Sequence, residues 1–202
     1  SDAPMEAMIE GAIKKGLDCI CFTEHMDYDF PECYYPDTYQ FDPDMYVKKL
    51  LTLKEAYQDK IEVCLGVEAG TRPYLAPRYE ALVSSYPFDF VLCSTHLVYG
   101  LDPYFKEVWE GHTTFEVIRD TFADILNNIK THDCFDSYAH LDYVVRYCPD
   151  GNSPLNINDY REIIDEILIS LIKKGKALEI NTAGYKYGLL RPHPQKEILM
   201  RY

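Results

Sequence analysis

The chain is short of positive charge. Its 20 Lys and Arg residues stand against 33 Asp and Glu, a formal net charge of -13 over 202 residues. Such a surface repels phosphate backbones, and a general nucleic-acid binder, which needs a basic face, is disfavoured. A small phosphate ester is a different case, because metal ions or a few placed Arg and Lys residues reverse the field locally. No run approaches the roughly 18 consecutive apolar residues of a membrane span, so no membrane partner is expected and the protein reads as soluble. Also missing are a C-x-x-C pair, any low-complexity tract and any repeat at a fixed period, and no secretory leader is expected. Seven cysteines, at 19, 21, 33, 64, 93, 134 and 148, are scattered in a way that suits reduced thiols in the cytoplasm. Cys19, Cys21, Cys64 and Cys93 lie in apolar runs and are expected in the core.

What is present is an ordinary globular composition, 47% hydrophobic and 26% charged, at a length that fits one domain over 1–202. Residues Pro4 to Lys15, PMEAMIEGAIKK, space their apolar positions by three and four, which predicts a helix with Asp2 as its cap and Gly16 as its stop. LDCICFTEH follows, a short run of strand formers ending in acid and histidine. The cycle repeats: MYVKKLLTLKEAYQDK then IEVCLGVEAG, PRYEALVSSY then DFVLCSTH, TTFEVIRDTFADILNNIKTH then CFDSYAHLD, and NDYREIIDEILISLIKKG then KALEINTAG. Alternation of this kind predicts an α/β fold with a mostly parallel sheet, and periodicity does not choose between a barrel and a doubly wound sheet.

Two longer connections, YDFPECYYPDTYQFDPD and VYGLDPYFKEVWEGH, are aromatic and acidic, and the first is long enough to close over a site as a lid. His25, Glu68, His96 and His140 each fall at or just past the C-terminal end of a predicted strand, the edge where ligands bind in both architectures. Three of only six histidines therefore converge with a glutamate on one rim. Nitrogen and carboxylate ligands without thiolate suit zinc, manganese or iron, and a carboxylate can bridge two ions that together polarise a phosphate ester.

The residues themselves carry a resemblance. GLDCICFTEHMDYD resembles the T-E-H or T-D-H motif of the PHP superfamily, GVEAG its G-x-E motif, STHLV its S-x-H motif and AHLDYVVRY its G-H-x-D motif, in family order over essentially the whole chain. EINTAGYKYGLLRPHPQKEIL is similar to the stretch that marks the histidinol-phosphatase branch. The resemblance implies a distorted (β/α)7 barrel with up to three divalent transition metals, and it carries the ligand role onto His25, Glu68, His96 and His140, with Glu68 as the bridging carboxylate. It implies hydrolysis of L-histidinol phosphate to L-histidinol and phosphate, in histidine biosynthesis, by a metal-bound hydroxide. Another phosphate monoester or a nucleotide as substrate, or a non-catalytic binding module on the same barrel, are the alternatives.

Arg146 and Arg191 match positions near substrate and are candidates for phosphate contacts, since a guanidinium fork suits phosphate oxygens; Lys186 is a weaker candidate. Arg146 could instead pair with an acid. Asp27 and Asp142, each two residues past a ligand histidine, are placed to orient an imidazole or are plain loop acids. His193, between two prolines, is expected in a turn, and His112 and His132 at helix ends as solvated or capping residues. The PHP pattern opens with an H-x-H strand and closes with a D-x-H strand, and this chain contains neither. The barrel is therefore expected without its first and last strand motifs, with exposed sheet edges, and with a weakened metal site if the 202 residues are the whole product.

Overall fold

A computed structural model of the protein describes residues 3–31, 39–151 and 155–202. Helix α1 (Met5–Lys14) buries Ile9 and Ala12 on one face and gives way at Gly16, which takes φ +72°. Asp2 lies outside the described residues, and the N-cap position is held by Pro4 without a side-chain bond. Helix α2 (Pro43–Tyr57) starts where the Asp42 carboxylate accepts from Met45 N at 3.1 Å, with Pro43 at the first helical position. α3 (Ala76–Ser85), α4 (Thr114–Thr131) and α5 (Arg161–Lys174) follow. α4 opens with a reciprocal Thr113 and Glu116 capping box.

Between the helices run β1 (Cys19–Met26), β2 (Glu62–Gly70), β3 (Phe90–Ser94), β4 (Ser137–Tyr138) and β5 (Ala177–Leu178), all parallel and in the order β1-β2-β3-β4-β5. This order settles what periodicity left open. Every crossover advances the same way, as in a (β/α) barrel, whereas a doubly wound sheet reverses at a switch point. The barrel is an open arc of five strands: among the described residues no pairing joins β5 to β1. β4 and β5 are shorter than CFDSYAHLD and KALEINTAG suggest, because the chain leaves extended geometry early. His140 takes φ +24° and is followed by a 3-10 turn over Tyr143–Tyr147, and β5 soon gives way to the short helix α6 (Ala183–Lys186).

Two tyrosines on the covering helices lock β1 to β2. The Tyr46 hydroxyl lies 3.0 Å from the carbonyl oxygens of both Phe22 and Gly66. That of Tyr79 lies 2.6 Å from Met26 O and 2.8 Å from Gly70 O, under the rim of the arc. Phe22, Val63 and Leu65 pack with Ile9, Tyr46, Val47 and Leu50 beneath α1 and α2, and a second, larger core centres on Phe122, Ile125, Ile164 and Ile167 of α4 and α5.

This packing corrects the cysteine expectation. Cys93 is buried, but Cys21 and Cys64 are half-buried and Cys19 is exposed. A strand alternates faces, and the helix-facing positions are taken by Phe22, Val63 and Leu65, so Cys21 and Cys64, paired in register, point the other way. Cys33 lies outside the described residues, as does the centre of the proposed lid. A short helix of four residues, α7 (Lys196–Leu199), follows near the end of the described residues. Among the described residues no helix is long and apolar enough to cross a membrane.

Candidate active site

The parallel register sets His25 directly beside Glu68, at the C-terminal ends of β1 and β2. His96 and His140 stand two residues past the ends of β3 and β4. The structure brings all four together. Glu68 Oε1 accepts from His96 Nε2 at 3.0 Å and from His140 Nε2 at 2.9 Å, and Glu68 Oε2 lies 3.8 Å from His25 Nε2. Ligand atoms of His25, Glu68 and His96 lie within 4.8 Å of one another.

Asp27 does orient an imidazole, though not that of its neighbour in sequence: its Oδ2 pairs with His96 Nδ1 at 2.8 Å, while His25 Nδ1 is 3.9 Å away. Gly70 makes this possible, since a Cβ there would overlap the Asp27 carboxylate. His96 thus spans two carboxylates, one at each ring nitrogen. Burial alone would push its pKa down, but Asp27 and Glu68 hold it well above the ordinary value. For Glu68, burial works upward and the bonds from His140 and His96 win, leaving it well below the usual carboxylate range. His140 is held in its left-handed backbone conformation by Glu179, whose Oε2 accepts from His140 N at 2.8 Å.

The donor set fits a divalent transition metal. Three imidazoles and a carboxylate converge without thiolate, and buried His25 Nδ1 and Asp27 Oδ1 have no hydrogen-bond partner.

These residues form one wall of a cavity of about 320 Å³. The facing wall comes from Tyr143, Arg146 and Tyr147 on the 3-10 turn, Tyr187 beyond α6, and Asp102. The Arg146 guanidinium lies 4.3 Å from the ring centre of Tyr187, 5.1 Å from Tyr143 and 5.8 Å from Tyr147. Among the described residues no acid lies within ion-pair distance of it, and its Nε is buried without a partner. Burial pushes the Asp102 carboxyl up, against the hydrogen bond it accepts from Tyr104 N at 2.8 Å.

Other expectations need correcting. Lys186 is exposed, with Nζ 5.7 Å from the Tyr187 ring, and Arg191 donates to Leu189 O at 3.3 Å; neither lines the cavity. Asp142 does not orient His140. It pairs with His193 Nδ1 at 2.5 Å and accepts from Gln195 N at 2.8 Å. His193 is accordingly buried rather than a free turn residue, drawn in by a two-way backbone pairing with Asn181 and followed by a cis bond to Pro194. His132 is the C-cap residue of α4, as one of its two readings had it, but is buried rather than solvated: its Nε2 lies 3.0 Å from Arg72 O, and burial lowers its pKa. His112 is exposed as expected and stacks on Tyr99.

Sequence reasoning missed Asp102, Glu179, Tyr143, Tyr147 and Tyr187. The run YVVRY held a usable signal: Tyr143 is three residues before Arg146, one 3-10 turn. Glu179 gave none, since it acts on a residue 39 positions away, and Asp102 looked like any other loop acid.

The fold and the cluster together define the class, a parallel α/β barrel arc with a nitrogen-and-carboxylate centre at the C-terminal rim of its strands. A family model described as the PHP domain matches residues 1–183, and the chain belongs to that family. It is 34% identical to the histidinol-phosphatase of Lactococcus lactis subsp. lactis over 172 residues, 85% of this chain and 62% of that protein. With the probable histidinol-phosphatase of Clostridium acetobutylicum the identity is 33% over 178 residues, 88% of this chain and 66% of the relative. The chain thus spans a little under two thirds of these curated relatives. Among solved structures, the L. lactis histidinol phosphate phosphatase complexed with zinc, L-histidinol and phosphate superposes with a TM-score of 0.83 at 32% identity, covering 92% of this chain and 70% of that one. A solved structure from Listeria monocytogenes, with a TM-score of 0.76 at 17% identity, shares the fold.

Proposed function

We propose that the chain carries the active site of a metal-dependent phosphatase acting on L-histidinol phosphate. The observation that carries this reading is the opposition across one cavity of a buried carboxylate gripped by histidines and an arginine without an acid. His25, Glu68, His96 and His140 hold divalent transition metal, with zinc the first candidate because the L. lactis relative binds it. Bound there, such ions screen the negative charge of a phosphate ester and activate water for in-line attack.

The chain's own residues do the rest. Asp27 fixes the rotation of the His96 ring and Glu179 fixes the backbone of His140, so both imidazoles are presented without further ordering. Arg146 offers a planar fork to phosphate oxygens from the facing wall, and the tyrosines around it keep the guanidinium in place and exclude water. Phosphate release from L-histidinol phosphate, measured before and after chelation, tests the reading: full turnover after the metal is stripped would end it. Ranking phosphate monoesters by kcat/KM tests the substrate, with L-histidinol phosphate expected first.

A further inference from the structure

The opposite ends of β1 and β2 hold a second cluster of ligand-type side chains that the phosphatase reading does not use. Cys19 Sγ and Cys64 Sγ lie 3.5 Å apart, and ligand atoms of Cys19, Glu62 and Cys64 all fall within 4.8 Å of one another. The register explains the convergence: Cys19 pairs with Glu62 and Cys21 with Cys64, so one thiol stands diagonally across from the other on the same face of the sheet.

The spacing discriminates among roles. A disulfide requires sulfurs about 2.05 Å apart. Two thiolates sharing a tetrahedral ion at about 2.3 Å each stand roughly 3.5–3.8 Å from one another. The observed separation is that of two reduced thiols in contact, close enough for one ion to reach both. The helix side of the strands is filled by Phe22, Val63 and Leu65, and Cys19, Glu62 and Cys64 face away from it. Cys19 and Glu62 are exposed and Cys64 is half-buried, so an ion reaches the site from solvent.

We propose that Cys19, Cys64 and Glu62 form a second metal site, for a soft divalent cation such as zinc, at the opposite end of the strands from the histidine cluster. Cys19 and His25 stand six residue steps apart on β1, about 20 Å at the rise of an extended strand, so the two sites share no ligand. Two thiols each release a proton as the ion binds, and the Glu62 carboxylate is the third ligand, leaving one position for water.

Cobalt titration of the reduced chain under anaerobic conditions tests the site without any turnover. A sulfur-to-cobalt charge-transfer band in the near ultraviolet is expected in the wild type and in Glu68→Gln, and is expected to vanish in the double variant Cys19→Ser, Cys64→Ser. Glu62→Gln, on an exposed strand position, should keep the band and weaken cobalt binding by about tenfold or more. Absence of the band in reduced wild type, its survival in the double variant, or unchanged affinity in Glu62→Gln would each overturn the proposal. Because Glu68→Gln removes the rim site, failure of the phosphatase reading and failure of this one are separately visible.

Discussion

The two walls of the cavity are built on opposite principles. On the strand side, every charge already has a partner: Glu68 holds His96 and His140, and Asp27 holds His96 from behind. On the turn side, Arg146 is surrounded by tyrosine rings and meets no acid among the described residues. On this wall the carboxylates and imidazoles hold one another in place through their mutual contacts. A guanidinium stacked on π faces keeps its hydrogen-bonding fork unspent, ready for an anion. The difference teaches that the strand wall is specified by backbone register and the turn wall by side-chain stacking, and the two should fail differently when mutated.

The largest effect is expected on the strand wall. Glu68→Gln keeps shape and removes charge, so bound metal should be lost and kcat/KM should fall by about 10³-fold, roughly 4 kcal/mol of transition-state stabilisation. Metal analysis beside the phosphate-release assay checks it, and retained metal would break the assignment of this wall. Asp27→Asn should act one step further out, lowering metal affinity about 10- to 100-fold while the helical circular dichroism stays unchanged. Gly70→Ala should mimic it by displacing the Asp27 carboxylate, so equal effects from the two variants would sharpen the claim that Asp27 works through the His96 ring.

On the turn wall the signature reverses. Arg146→Lys keeps the charge but loses the fork and much of the stacking, and should raise KM for the phosphate ester about tenfold with metal content unchanged. Metal loss in this variant would mean that the walls are not separable.

How far the sequence announces this depends on how local each cause is. Helix and strand alternation is legible because three-and-four spacing in PMEAMIEGAIKK and apolar runs such as IEVCLGVEAG are set by near neighbours. The four rim residues are legible because each interrupts an apolar strand at its end. Cys19 misleads because an apolar neighbourhood in sequence says nothing of which face of the strand meets a helix. His193 and Asp142 are 51 residues apart, and Glu179 and His140 are 39 apart, so the bonds that bury or orient them leave no local pattern. Barrel against doubly wound sheet is likewise decided only by strand order, a property of the whole chain.

The smallest effect separates stacking from hydrogen bonding on the turn wall. The Tyr187 ring lies 4.3 Å from the Arg146 guanidinium, nearer than the other two tyrosines, and the residue is 52% exposed. At an exposed site a cation-π contact is worth about 0.5–1 kcal/mol. Tyr187→Leu should therefore raise KM for the phosphate ester by about two- to fivefold, leaving kcat and bound metal unchanged. Tyr187→Phe keeps the ring and removes the hydroxyl, so its KM should match the wild type. If the phenylalanine variant instead behaves like the leucine one, the hydroxyl itself contacts substrate, and the turn wall recognises its ligand by hydrogen bonds from tyrosine as well as by the arginine.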